Sequence, residues 1–323
     1  MNFKKLGQTG LQVSQLCFGT MSFGGDADKD ESAAMFNAAR ESGINFFDCA
    51  DAYSKGKAEK ILGKLIKGSR NELIITSKCF GQMSEDINAG GANRRHIVRA
   101  VEASLKRLGT DWIDVLFMHR WDPSVPLEET LRALEQLVSD GKVAYLGASN
   151  YSAWQIAKGL GISAKNNWPR FDVIQPMYSL VKRQLESEIL PLAIEENLGV
   201  VTYSPVGGGL LSGKYSGEKQ AQFGRLLDNK EYEARYGESW VFEVAEKFTA
   251  LAQQLNTHPV TLAVSWAAQN PAVTCPIIGA RNLQQLQPSL AANQFEMNDE
   301  LYARITALSR RPALATDRLE EQA

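Results

Sequence analysis

Eight short apolar runs recur along this chain, and most neighbouring runs are separated by a stretch with helical periodicity. They read QLCFGT near 15–20, GINFFD near 43–48, ELIITSK near 72–78, WIDVLFMH near 112–119, VAYLGASN near 143–150, FDVIQ near 171–175, LGVVTYS near 198–204 and TCPIIGA near 274–280. Strands alternating with helices favour a parallel sheet, and near-continuous apolar strands favour burial on both faces. Eight such units in 323 residues predict a (β/α)8 TIM barrel forming one domain over residues 1–323. An open doubly wound sheet is the alternative arrangement. Residues 1–14, with Gly7 and Gly10 between short alternating runs, predict a small β-hairpin ahead of the barrel.

The intervening stretches carry helix signals. Between Lys57 and Gly68, Ala58, Ile61, Leu62 and Leu65 share one face, with Lys60, Lys64 and Lys67 opposite. From Arg94 to Leu108 the apolar face is Ile97, Val101, Leu105 and Leu108, with Asn93 as N-cap and Gly109 as stop. Leu127, Leu131, Leu134 and Val138, with Leu137 alongside, form a third face before Gly141. The longest irregular stretch runs from Gly213 to Glu238, and a long polar loop of this kind is often functional.

Composition narrows the function. At 44% hydrophobic residues the chain can bury a large core, and 35 basic against 37 acidic residues leave a formal net charge of -2. Without a long basic run there is no electrostatic reason to expect a nucleic-acid partner. Cys17, Cys49, Cys79 and Cys275 show no CxxC spacing and lie in or beside apolar runs, so they read as reduced packing residues, with neither disulfide nor metal implied. Residues 1–10 lack a signal-peptide core and no segment approaches membrane-spanning length, which predicts a soluble cytoplasmic protein.

The ends of the predicted strands are informative as a set. They carry Asp48, Lys78, His119, Ser149 with Asn150, Gln175 and Tyr203. In a barrel these C-terminal ends converge on one mouth, where active sites of this fold lie. Any one polar residue after a strand is ordinary, because loops are polar. An acid, an ammonium, an imidazole and several amides around one ring are not.

With these residues in place the sequence resembles the aldo-keto reductases. The matching stretches are FDCADAY (47–53) with Glu59 beyond it, IITSK (74–78), DVLFMHRWD (114–122), GASN (147–150), IQPMYS (174–179), YSPVGGGLLSGKY (203–215) and IIGARN (277–282). The resemblance implies a barrel that binds NADP(H) without a Rossmann domain, and a catalytic tetrad of Asp48, Tyr53, Lys78 and His119. Hydride addition to a carbonyl carbon leaves negative charge on oxygen, so a donor must stand there as the charge develops. Tyr53 is the expected proton donor, Lys78 the cation expected to lower its pKa, Asp48 the anchor of Lys78, and His119 the group that positions the carbonyl. The other histidines, His96 and His258, read as satisfied structural residues.

The resemblance also assigns Ser149, Asn150 and Gln175 to the nicotinamide carboxamide and Tyr203 to its ring. It places Ser204 and the backbone from Gly207 through Gly208 to Leu210 along the pyrophosphate, where small residues permit close approach. GGLLSGK (208–214) fits GxxxxGK, yet Tyr215 stands where a P-loop needs Ser or Thr, so the run reads as the reductases' dinucleotide loop. Near the last strand Arg281, with Asn282 and Gln285, is the expected partner of the adenosine 2′-phosphate. Many family members have a Lys-Ser pair at Gly279-Ala280 and a Glu-Asn pair at Pro288-Ser289, which leaves Arg281 as the one strong cation of the motif. Other departures are Cys49 for threonine, Ser54 where glycine usually follows the tyrosine, and RWD after His119. Met21, Phe23, Phe80 and Trp121 follow barrel strands, and read equally as an apolar substrate pocket or as loop-base packing. The resemblance implies NADP(H)-dependent reduction of an aldehyde or ketone to an alcohol by hydride transfer from the nicotinamide, with sugars, short aldehydes and aromatic aldehydes all open as substrates. The alternative is a redox-responsive NADP(H)-binding protein on the same fold with little turnover.

Overall fold

The computed structural model describes residues 1–215, 230–318 and 320. Two short strands, β1 (Phe3–Lys5) and β2 (Gln12–Ser14), pair antiparallel as the predicted hairpin. Eight parallel strands then close on themselves: β3 (Cys17–Gly19), β4 (Phe46–Asp48), β5 (Ile74–Cys79), β6 (Ile113–Met118), β7 (Val143–Ser149), β8 (Phe171–Gln175), β9 (Gly199–Thr202) and β10 (Cys275–Ile278), with β10 joined to β3. Each falls on one of the eight apolar runs, β5 reaching one residue past its run. The fold is a (β/α)8 TIM barrel, and the doubly wound alternative is set aside by the closure.

Alternation along the strands divides the apolar residues into two cores. Inside the barrel lie Cys17, Phe46, Val115, Phe117, Val173, Val201 and Cys275, and the hairpin seals its N-terminal end with Leu6 and Val13. The hairpin turn needs Gly7: at φ 54° a Cβ there would sit 2.4 Å from the Gly199 nitrogen. Lys4 Nζ donates to the Ala268 and Val273 carbonyls, and Tyr145 Oη donates to the Thr9 carbonyl at 2.8 Å. The second core lies between strands and helices. There Ala58, Ile61 and Leu62 of the helix Lys57–Leu65, and Ile97, Val101 and Leu108 of Arg94–Leu108, are buried as the periodicity predicts. Asn93 Oδ1 accepts from the His96 amide at 2.9 Å, and Gly109 ends that helix at φ 66°.

One helical detail differs from expectation. In Leu127–Ser139 it is Leu137 that is buried, while Val138 is only partly covered. Glu59, on the inward face of Lys57–Leu65, is fully buried. Of the long stretch predicted as irregular, residues 216–229 lie outside the described residues, and Lys230–Tyr236 is helical. All four cysteines are buried and free. Among the described residues no helix is long and apolar enough to cross a membrane.

Candidate active site

The pairing of β4 with β5 sets Asp48 opposite Thr76, and the pleat puts Lys78 on the same face as Thr76 two residues later. Lys78 Nζ therefore emerges beside the Asp48 carboxylate, donating to Oδ2 at 2.6 Å and to the Cys49 carbonyl at 2.8 Å. Its third contact is the Tyr53 hydroxyl, at 3.0 Å. Asp48 Oδ1 accepts from Thr76 Oγ1 and Gln175 Nε2, both at 2.8 Å. With Asp48 2% and Lys78 1% exposed, this is a buried ion pair with its remaining polar valences filled. His119 follows β6 and meets Tyr53 edge-on, ring centroids 6.1 Å apart. The four residues of the expected tetrad are thus brought together.

Their electrostatics differ in one respect from expectation. Burial pushes the Tyr53 phenol up to about 12, and Lys78 only partly offsets that rise. The expected net lowering is absent because removing a phenolate from water costs more here than the nearby ammonium returns. Tyr53 consequently keeps its proton at neutral pH. Lys78 is itself desolvated, yet Asp48 and Tyr53 together hold its pKa above the usual lysine value. Burial, then the charges of Lys78 and Arg120, push the His119 imidazole down to about 3, so it is neutral at physiological pH. The loop that carries Tyr53 continues through Ser54 (φ 48°), Lys55 (φ 53°) and Gly56 (φ 81°), all left-handed. Ser54 thus takes a conformation that glycine adopts at lower cost.

The residues expected at the cofactor form a second, connected group. Ser149 pairs with Gln175 in register, and its Oγ donates to the Gln175 carbonyl at 3.0 Å. Asn150, at φ 58°, turns its side chain back so that Nδ2 donates to Ser149 Oγ and to the His119 carbonyl. Tyr203 Oη donates to Asn150 Oδ1 at 2.7 Å. Ser204 (φ 59°), Gly207 (φ 58°), Gly208 (φ 67°) and Gly209 (φ 98°) make a run of left-handed backbone. A Cβ on Gly208 would stand 2.8 Å from the Tyr232 ring. The Leu210 side chain is buried in the core, so only its backbone can face a ligand. Arg281 and Gln285 lie together at the surface, the Gln285 side chain accepting from the Arg281 amide at 3.3 Å. Arg281 Nε also pairs with Asp26 Oδ2 at 3.0 Å.

A cleft of about 480 Å³ opens beside His119, lined also by Phe80, Gln82, Ile87, Gly91 and Arg120. Of the four apolar residues whose role the sequence left open, Phe80 lines this cleft. Phe23 is fully buried against Phe18, and Trp121 packs edge-on to Tyr151 and Trp154. Met21 is 46% exposed and does not line the cleft.

Sequence reasoning missed several supporting residues. Thr76 shares a strand face with Lys78, but its contact with Asp48 depends on the register between β4 and β5. Glu59 accepts from Ser77 Oγ and from Arg107 Nε, each at 2.6 Å, and so ties two helices to β5 beside Lys78. Asp51, two residues before Tyr53, is fully buried, and neither carboxylate oxygen reaches hydrogen-bonding geometry with a donor among the described residues. His96 is buried too, and its Nε2 has no hydrogen-bond partner among the described residues, so it is not the satisfied histidine expected.

Burial, reinforced by the Glu59 charge, pushes the Asp51 carboxyl up to about 7. An unfolded Asp titrates near pH 3.9, so between about 4 and 7 the folded chain holds the extra proton. Asp51 therefore weakens stability progressively as pH rises through that window, by up to about 4 kcal/mol, and the penalty levels off above it. Asp51→Asn, which cannot ionise, should raise the thermal midpoint, with a gain over wild type that grows from pH 5 to pH 8. A pH-independent difference would remove Asp51 as the titrating group.

A buried ammonium set between a carboxylate and a phenol is suited to controlling a proton, and it stands at the barrel end where enzymes of this fold keep their chemistry. Residues 15–310 match the model of the Aldo/keto reductase family, and the chain belongs to that family. It is thus an oxidoreductase of a family that acts on small carbonyl compounds. Similar proteins include a probable voltage-gated potassium channel subunit beta of Arabidopsis thaliana, 37% identical over 90% of this chain and 91% of the relative. The uncharacterized oxidoreductase YrpG of Bacillus subtilis (strain 168) is 35% identical over 93% of this chain and 94% of its own length. Versiconal hemiacetal acetate reductase of Aspergillus parasiticus is 30% identical over 93% and 94%.

Proposed function

We propose that this protein reduces an aldehyde or ketone to an alcohol using NADP(H), with Tyr53 as the proton donor. The observation that carries the reading is the placement of Lys78 Nζ, hydrogen-bonded at once to Asp48 and to the Tyr53 hydroxyl. The reading takes residues 1–323 as one catalytic domain working in the cytoplasm on small molecules.

The donor set fits a nicotinamide cofactor. Ser149, Asn150 and Gln175 together offer the hydroxyl and amide groups that a carboxamide needs as both donor and acceptor. Tyr203, fixed through Asn150, offers a ring face, and the left-handed turn at Ser204 and Gly207–Gly209 exposes backbone free of bulky side chains. Arg281 and Gln285 would meet the adenosine end. When bound, the reduced nicotinamide supplies a hydride. The neutral His119 orients the carbonyl oxygen, and Tyr53 gives that oxygen its proton as negative charge develops there. Lys78 stabilises the phenolate left behind, and Asp48, held by Thr76 and Gln175, keeps Lys78 in place.

Loss of the near-ultraviolet absorbance of NADPH across a panel of small aldehydes and ketones tests the reading, and no oxidation of NADPH with any of them would end it. The second reading, a redox-responsive NADP(H)-binding protein with little turnover, draws support from the relative named as a channel subunit. Tight NADPH binding with turnover slower than cofactor release would favour it.

Cofactor choice depends on Arg281 in this scheme. A guanidinium binds phosphate through paired charge-assisted hydrogen bonds, so Arg281→Ala should weaken NADPH binding by about tenfold and leave NADH nearly unaffected. Because Asp26 competes for the same guanidinium, Asp26→Asn should tighten NADPH instead. Equal losses for the two cofactors would show that Arg281 is not the selector.

A further inference from the structure

Among the described residues Arg120 is the only charged one that lines the cleft beside His119; the rest of that lining is apolar or uncharged, including Ala52, Phe80, Gln82 and Ile87. It is exposed, and it makes no hydrogen bond or ion pair among the described residues. Elsewhere the chain pairs its arginines readily: Arg70, Arg94, Arg95, Arg107, Arg170 and Arg183 all meet carboxylates. What sets Arg120 apart is its place: a guanidinium with no carboxylate partner among the described residues stands at the mouth of the site. Its field reaches inward, since Arg120 is among the charges that depress the His119 imidazole and oppose the rise of the Tyr203 phenol.

We infer that Arg120 is a specificity-determining residue that selects carbonyl compounds bearing a carboxylate. The inference rests on the proposed carbonyl-reductase reading and adds the substrate class. The carbonyl oxygen would lie between Tyr53 and His119, and the substrate's apolar body against Phe80 and Ile87. The carboxylate would meet Arg120, whose planar fork matches it bidentately. The cleft's volume of about 480 Å³ accommodates a molecule of this length. The carboxylate is a spectator in the chemistry, so its contribution falls on binding rather than on the rate of the bound complex.

The test compares 4-carboxybenzaldehyde with its methyl ester, an uncharged analogue of nearly the same shape, using NADPH and the 323-residue chain. Wild type should prefer the acid by about five- to tenfold in kcat/KM, a charge-assisted hydrogen bond discounted for an exposed partner. The preference should lie in KM, and it should shrink as salt rises. Arg120→Gln should bring the acid-to-ester ratio near one, and Arg120→Lys should keep part of the preference. A wild-type preference for the ester, or an unchanged ratio in Arg120→Gln, would overturn the inference. If neither compound is reduced, the carbonyl-reductase reading is decided by the wider panel of aldehydes and ketones and not by this pair. The same pair titrated against tryptophan fluorescence then still decides whether Arg120 binds the carboxylate: equal affinities for acid and ester would overturn it.

Discussion

Replacing Tyr53 by Phe is expected to lower the single-turnover rate of carbonyl reduction by about 10²–10⁴-fold, the usual contribution of a general acid. The hydroxyl acts only as charge develops on the carbonyl oxygen, so NADPH affinity, followed by tryptophan quenching, should be spared. Lys78→Met should cost a comparable factor in rate, because the phenolate formed on proton transfer loses the ammonium 3.0 Å away. It should also lower the thermal midpoint, since Asp48 would be left buried without its counter-charge, and rates belong at a temperature where the variant is folded. If Tyr53 and Lys78 act as one unit, the double variant should be little slower than either single one. A Tyr53→Phe protein with near-normal single-turnover reduction would take Tyr53 out of the mechanism.

Much of this arrangement was legible because barrel geometry converts one-dimensional order into a ring. Once eight apolar runs are read as parallel strands, the residue that ends each run must face the same mouth, and Asp48, Lys78 and His119 follow. Helix ends were equally plain where side-chain capping set them, as at Asn93 and Gly109. What was not legible depends on register or on desolvation. Thr76 and Gln175 meet at Asp48 from two different strands, and the Arg281–Asp26 pair joins the last βα loop to the first. Nothing in the local sequence of either partner announces these contacts. The direction of the Tyr53 shift was misjudged for a related reason: the sequence shows the neighbouring charge but not the loss of solvent that outweighs it. Glu59 enters the sequence reading only as part of the stretch that carries the family resemblance, and only the fold shows it enclosed.

Glu59 also defines the stability effect expected to be largest. Its carboxylate is fully buried, and Arg107, whose side chain is 16% exposed, supplies its only ion-pair partner among the described residues. Arg107 Nη2 also donates to Ser104 Oγ, and its Cδ would lie 2.8 Å from a Cβ on Gly56, so the guanidinium is closely enclosed. Arg107→Ala would strand the Glu59 charge with only the Ser77 hydroxyl for support, and removing one partner of a buried pair typically costs about 3–5 kcal/mol. Glu59→Gln removes the charge but keeps the shape and the bond from Ser77, so it should cost less. The double variant Arg107→Ala, Glu59→Gln should recover part of the Arg107→Ala loss, because no uncompensated charge then remains. Denaturant midpoints of the four proteins at constant pH measure this directly. Strictly additive losses would mean that Arg107 stabilises the chain through its packed alkyl stem, not by neutralising Glu59. If charge is the cause, the loss should extend to catalysis, because Ser77 is adjacent to Lys78 and Glu59 fixes the β5 end from which Lys78 reaches Tyr53.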